Sequence, residues 1–126
     1  MASVSIAIDN LEQWGEQVVR GTLLSLSSAI IKDTPVVSGR LRSNWMPSIN
    51  APKLTEAGIT SKASKISEVS STVARVNFGD TFYLTNNLDY AVPIEFGHSK
   101  RFPEGMLRRN VAKYAQAIRE IGRAHV

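Results

Sequence analysis

The sequence has no cysteine and only two histidines among its 126 residues. Without cysteine there is no disulfide, no thiolate zinc site, no iron–sulfur cluster and no cysteine nucleophile. His98 and His125 are too few for a histidine metal cluster, and they leave little for a Ser-His-Asp relay. We therefore expect neither a metal nor a cofactor.

Long apolar runs are also missing. No uninterrupted run approaches the roughly 20 residues that span a bilayer, and the first five residues lack the basic region of a secretory signal. From these absences we expect a soluble cytosolic domain with no membrane contact. Hydrophobic residues make up 43% and charged residues 21%, an ordinary globular composition, and the length indicates one domain.

The net charge of +4 is concentrated near the C-terminus. Residues 1–96 hold eight Lys/Arg and nine Asp/Glu, a net of −1, whereas residues 97–126 hold seven and two, a net of +5. Such a segment contacts nucleic acid, an acidic protein surface or water. No known nucleic-acid-binding signature accompanies it, which favours water or an acidic protein. The candidate phosphate contacts are Lys100, Arg101, Arg108, Arg109 and Lys113.

Apolar spacing predicts a long helix at each end of the chain. The first runs from Asp9 to Lys32, with Asp9 and Glu12 forming a capping box. Leu24 and Ile31 lie opposite its main apolar stripe, and either another part of the chain or a second copy covers them. We favour a subunit contact, because a small domain has few elements with which to cover both faces.

The second helix is predicted to start at Pro103, with Glu104 in its first turn. Its apolar stripe has spacings of four and three. The stripe consists of Leu107, Val111, Tyr114, Ile118 and Ile121.

The middle of the chain indicates a small antiparallel sheet. Leu41 and Trp45 are spaced for a helical turn, and the alternation that follows indicates a strand that Pro47 places at a sheet edge. Residues 51–70 are expected to form an extended polar loop or hairpin-like arm, and residues 71–86 a β-hairpin. The prediction is a single α+β domain over residues 1–126, with both long helices packed on the sheet.

A catalytic site would have to be built from His98, Glu95, Asp89 and Ser99. No second histidine or carboxylate stands at a recognised spacing from them, and the chain has no glycine-rich phosphate loop. We therefore expect a protein that is not an enzyme.

Arginine and tryptophan are concentrated in one short segment. Arg40 and Arg42 flank Leu41, and Trp45 follows three residues later. These residue types are enriched at interface hot spots; alternatively, Trp45 anchors the core and the arginines are solvated. A carboxylate partner for either arginine is Glu95, of the same or an adjacent subunit.

Three blocks of sequence resemble one protein family. Residues 34–45, TPVVSGRLRSNW, are similar to the T-P-x-x-[ST]-G-x-L-R-x-S/N-W block of the small tail-completion and head–tail joining proteins of long-tailed bacteriophages. Residues 86–99, NNLDYAVPIEFGHS, resemble their N-x-x-x-Y-A-x-x-[IL]-E-[FY]-G-x-S block, and residues 103–106 match their P-x-G-M. We call these the first, second and third blocks.

The resemblance implies a non-enzymatic virion protein of the phage neck, assembled in the host cytoplasm. It implies a homo-oligomeric ring matched to the sixfold symmetry of the tail. Expected neighbours are the head connector or adaptor, the tail terminator and the tail tube, with non-specific contact to packaged DNA. The alternatives are a tail terminator that caps the tube and a basic DNA-associated module. The motif residues carried over are Gly39, Arg40, Leu41, Arg42, Trp45, Tyr90, Glu95, Phe96, Gly97, Pro103 and Gly105.

Overall fold

The chain folds into an α+β structure, as predicted. The computed structural model describes residues 4–8, 16–36, 38–77, 79–98 and 105–124. Its elements in chain order are β1 (Val4–Ile8), α1 (Glu16–Asp33), α2 (Arg40–Ser43), β2 (Trp45–Ile49), α3 (Lys62–Val73), β3 (Phe82–Asn86), α4 (Ala91–Pro93), a π-helical turn (Ile94–His98) and α5 (Leu107–Ala124).

The three strands form an antiparallel sheet in the order β1-β3-β2. Sequence patterns predicted β2 and β3 but not the five-residue β1. The Asn50 N–H donates to the Thr81 carbonyl at 2.8 Å, so the backbone nitrogens of Ile49 and Pro47 face away from β3. Pro47 therefore lies on the free side of an edge strand and removes no ladder hydrogen bond, which confirms the predicted edge position.

Helix α1 packs against both α3 and α5. Four apolar residues of its predicted stripe, Val19, Leu23, Leu26 and Ile30, are buried in the core. The predicted capping box at Asp9 and Glu12 lies outside the described residues.

The prediction that Ile31 forms a subunit contact is wrong. Ile31 is completely buried in the core of its own chain. The physical reason is that α3 and α5 both pack against α1, so the chain itself covers Ile31 on the second apolar face of the helix. Leu24 is half-buried against the same core, and it borders an open hollow shared with Tyr114 of α5.

The prediction for residues 51–86 is wrong in two respects. The polar segment ends at Ser61, the residue before α3, and the predicted first strand of the hairpin is absent from the described residues: residues 71–73 belong to α3, and residues 74–77 form turn and irregular structure. The Ser61 hydroxyl caps α3 by accepting from the Ser64 N–H at 3.0 Å. The buried residues of α3 have helical spacing, but one of them is a lysine, so the sequence shows no continuous apolar stripe. They are Lys65, Val69, Thr72 and Val73.

Polar side chains link the residue that follows β2, Asn50, to the turn that precedes β3. The Asp80 carboxylate accepts from the Asn77 N–H at 2.8 Å and from the Asn50 side-chain amide at 3.0 Å. The Asn50 side-chain oxygen in turn accepts from the Thr81 N–H at 2.9 Å. The Asn77 N–H first, and Asn50 second, hold the pKa of Asp80 below its ordinary value of 3.8.

This turn gives an acid-dependent contribution to stability. Because the pKa of Asp80 is lowered in the folded state, its stabilising effect is complete above pH 3.8 and is lost as the pH falls below that value. We expect Asp80→Asn to lower the urea midpoint at about pH 6, and the difference from wild type to shrink at about pH 2.5. A constant difference between the two pH values would contradict this interpretation.

Candidate interaction surface

The first block forms a tight turn that leads into β2. Gly39 has φ of 87° and caps α2, a left-handed conformation that favours glycine. The Ser43 hydroxyl donates to the Gly39 carbonyl at 2.7 Å. Trp45 is completely buried, and its indole N–H donates to the Thr34 hydroxyl at 2.8 Å. Of the two interpretations of Trp45, the structure therefore supports the core anchor.

The first and second blocks are directly joined. The buried Asn86 side chain donates to the Leu41 carbonyl at 2.8 Å and accepts from the Leu88 N–H at 3.2 Å. Leu41 and Leu88 are themselves buried in the core. One amide thus fixes the end of β3 against the turn before β2, across 45 residues of sequence.

Side chains from both blocks also hold the connecting segment, residues 51–61. Asn44 accepts from the Ala57 N–H at 2.7 Å and donates to the Ala57 carbonyl at 3.0 Å. The Ser43 hydroxyl accepts from the Thr60 N–H at 2.9 Å. Asn87 donates to the carbonyls of Lys53 and Thr55. These three residues were not predicted to be functional. The available signal was the pairs of small polar side chains at the strand ends, which commonly hydrogen-bond nearby backbone.

Glu95, in the π-helical turn, caps the start of α5. Its side chain is 2% exposed. One oxygen accepts from the backbone N–H groups of Met106 and Leu107, at 2.8 and 2.7 Å. The other accepts from the N–H of Arg108 at 2.9 Å. A carboxylate in this position satisfies free N–H groups at the helix end and complements the helix dipole.

Arg108 completes this arrangement from α5. Its Nε donates to the Glu95 carboxylate at 3.0 Å, and its Nη2 donates to the Glu95 carbonyl. The guanidinium also lies over the ring of Phe96, 4.7 Å from the centroid, a cation–π geometry. Phe96 is 62% exposed, so the pair presents an aromatic ring to solvent on a fixed base.

Gly105 allows Glu95 to approach α5. Its φ of +89° is outside the helical region, and a Cβ there would overlap the side chain and the carbonyl of Glu95. Because residue 105 has this φ, helix α5 begins after it, at Leu107, and not at the predicted start at Pro103. Pro103 and Glu104 themselves lie outside the described residues.

The structure corrects the predicted partner of the arginines. Arg40 pairs with Glu56 across the connecting segment, at 3.1 Å, and not with Glu95. Within the chain both Glu95 oxygens are occupied by the start of α5, and the side chain is buried, so it reaches neither arginine and no neighbouring subunit. Arg42 has no hydrogen-bond or ion-pair partner among the described residues.

The motif residues thus separate into two groups. The buried group holds the fold together and consists of Gly39, Leu41, Trp45, Glu95 and Gly105. Arg40, Tyr90 and Phe96 are exposed and Arg42 is half-buried, so these four are available to a partner. Gly97 lies in the π-helical turn. In the described part of the chain, three other large apolar side chains are exposed, namely Val36, Leu54 and Ile59.

No group of three or more metal-ligating side chains is present in the described part of the chain. Likewise, none of the described helices is long and apolar enough to cross a bilayer. Of the four residues from which a catalytic site would be built, Glu95 is committed to α5 and Ser99 lies outside the described residues. No protein-family model, curated protein or solved structure matches this chain.

Proposed function

We propose that this chain is a structural protein of a phage neck, which forms a homo-oligomeric ring that completes the tail and joins it to the head connector. The resemblance of the three blocks to tail-completion proteins supports the completion role over that of a tail terminator. The proposal includes no catalysis and no cofactor. It assigns the protein to the virion, after assembly in the host cytoplasm.

The observation that carries the proposal is that the three blocks interlock. Asn86 of the second block bonds Leu41 of the first, and Glu95 of the second bonds the N–H of Met106 in the third. Contacts between the blocks' characteristic residues support the interpretation that the blocks belong to one functional pattern.

The exposed side chains on the three interlocking blocks support a role in binding a partner. Arg108 is held by Glu95 and lies over the Phe96 ring, so the pair loses little conformational entropy when a partner binds. Aromatic and arginine side chains on a fixed base are the residue types that dominate binding energy at interfaces.

Electron microscopy of gold-labelled protein mixed with isolated phage tails tests the proposed location. The tails should come from particles that lack their own completion protein, and free gold is the control. We expect label at the head-proximal end of the tail only. Label along the tube, at the distal tip or nowhere would contradict the proposal.

The DNA-associated alternative has less support. Arg108 is engaged by Glu95, and Arg109 lies 3.3 Å from the Asp33 carboxylate. Two of the cations expected to contact phosphate therefore already interact with carboxylates. Lys100 and Arg101 lie outside the described residues, and Lys113 is exposed. Strong salt-dependent binding of the protein to duplex DNA would favour this alternative.

A further inference from the structure

One carboxylate has no partner among the residues that the structure describes. Asp89 is exposed in the turn before α4 and makes no hydrogen bond or ion pair with any described residue. The five other acidic side chains that the structure describes are all engaged. They are Asp33, Glu56, Glu68, Asp80 and Glu95.

Arg42 is the cation whose setting most needs a carboxylate. It is half-buried, and its Nε is out of contact with solvent and bonds no acceptor in the described part of the chain. The Nε is too buried for an external group to reach, but the Nη groups keep contact with solvent, and a partly desolvated guanidinium without an acceptor gains from a carboxylate that binds there. Glu95, the predicted partner, is not free because it caps α5, and Glu56 is already paired with Arg40.

We propose that Arg42 of one copy binds Asp89 of a neighbouring copy. The inference rests on the proposed function, since it names the contact through which the ring is built. Arginine binds a carboxylate with directed, charge-assisted hydrogen bonds. Each copy carries both the donor and the acceptor, so it can give Arg42 to one neighbour and Asp89 to another. Such head-to-tail contacts form a ring where the rotation between successive copies closes, and an open filament where it does not.

Apolar side chains flank both groups. Arg42 and Ile59 both lie close to Gly39, with Nη2 at 3.6 Å and Cγ2 at 3.7 Å from the position of a Cβ on that glycine. Ile59 is 62% exposed. Next to Asp89, Tyr90 is 40% exposed. Apolar contact around a charge pair excludes water and strengthens it.

Charge exchange between two variants tests the pairing. Arg42→Glu and Asp89→Arg should each weaken assembly at least about tenfold, as judged by light scattering alone and by retention on isolated tails. An equimolar mixture of the two should recover assembly, because each contact then joins a carboxylate to an arginine. Recovery on mixing also shows that both variants are folded.

Arg75→Glu is the matched control. It makes the same change in charge at an exposed arginine that follows the end of α3, and the 12 residues of that helix separate it from the Ser61 end by about 18 Å. We expect this variant to assemble like wild type.

Three results would overturn the pairing. The first is normal assembly by both single variants, which leaves the ring intact and refutes only this contact. The second is loss of assembly without recovery on mixing. The third is normal self-assembly with loss of tail retention, which assigns the carboxylate to a tail protein. A wild-type chain that never assembles, with or without tails, refutes the ring as well.

Discussion

Glu95→Ala is expected to lower the free energy of unfolding by about 3–5 kcal/mol. The change leaves three backbone N–H groups at the start of α5 and the Arg108 guanidinium without their acceptor. Removing one partner from a buried charged network carries a large cost, because the remaining groups stay desolvated. Urea denaturation followed by circular dichroism measures the loss.

Glu56→Ala is the control for this prediction. It removes the partner of Arg40 from an ion pair in which both side chains are about half exposed, 53% and 45%. Exposed pairs contribute about 0–1 kcal/mol. If Glu95→Ala were no more destabilising than Glu56→Ala, the capping role of Glu95 would be wrong.

Gly105→Ala is expected to be the second most damaging single substitution considered. Alanine at φ of +89° is strained, and its Cβ would also displace the carboxylate and carbonyl of Glu95. The strain costs about 1–2 kcal/mol, and disturbance of the buried cap adds to it. We therefore expect a loss of about 3 kcal/mol or more in the free energy of unfolding.

Gly79→Ala separates the two effects. Gly79 has almost the same φ, +86°, but a Cβ there would meet no atom within 4 Å. This variant should show only the strain of about 1–2 kcal/mol. Equal losses in the two glycine variants would mean that Gly105 contributes only its backbone conformation and not its close contact with Glu95.

The parts of the fold that could be predicted are those with local signals. The stripe of α1 and the alternation in β2 arise from residues within one element, so spacing alone indicates them. Helix α3 was missed because Lys65 occupies a core position of its stripe. Its ammonium lies 2.8 Å from the Glu68 carboxylate and 3.9 Å from the Met46 sulfur, and a buried lysine appears polar in the pattern.

The cap by Glu95 could not be predicted from local pattern. Its carboxylate oxygens accept from backbone N–H groups that lie 11 to 13 residues later in the chain. The start of α5 also depends on the left-handed φ of Gly105. The sequence did point to both residues through the family resemblance, but their contact is a tertiary feature. The same applies to Arg40 and Glu56, which meet across a connecting segment that Ser43, Asn44 and Asn87 hydrogen-bond.

Assembly into a ring is the central claim. Light scattering of the purified protein over a concentration series, with and without isolated tails, measures it directly. The account predicts a closed species whose mass is a whole multiple of the 13.8 kDa chain, six chains for a ring that matches the tail, formed either alone or on the tails. A chain that remains a 13.8 kDa monomer at every concentration and ignores tails would contradict it.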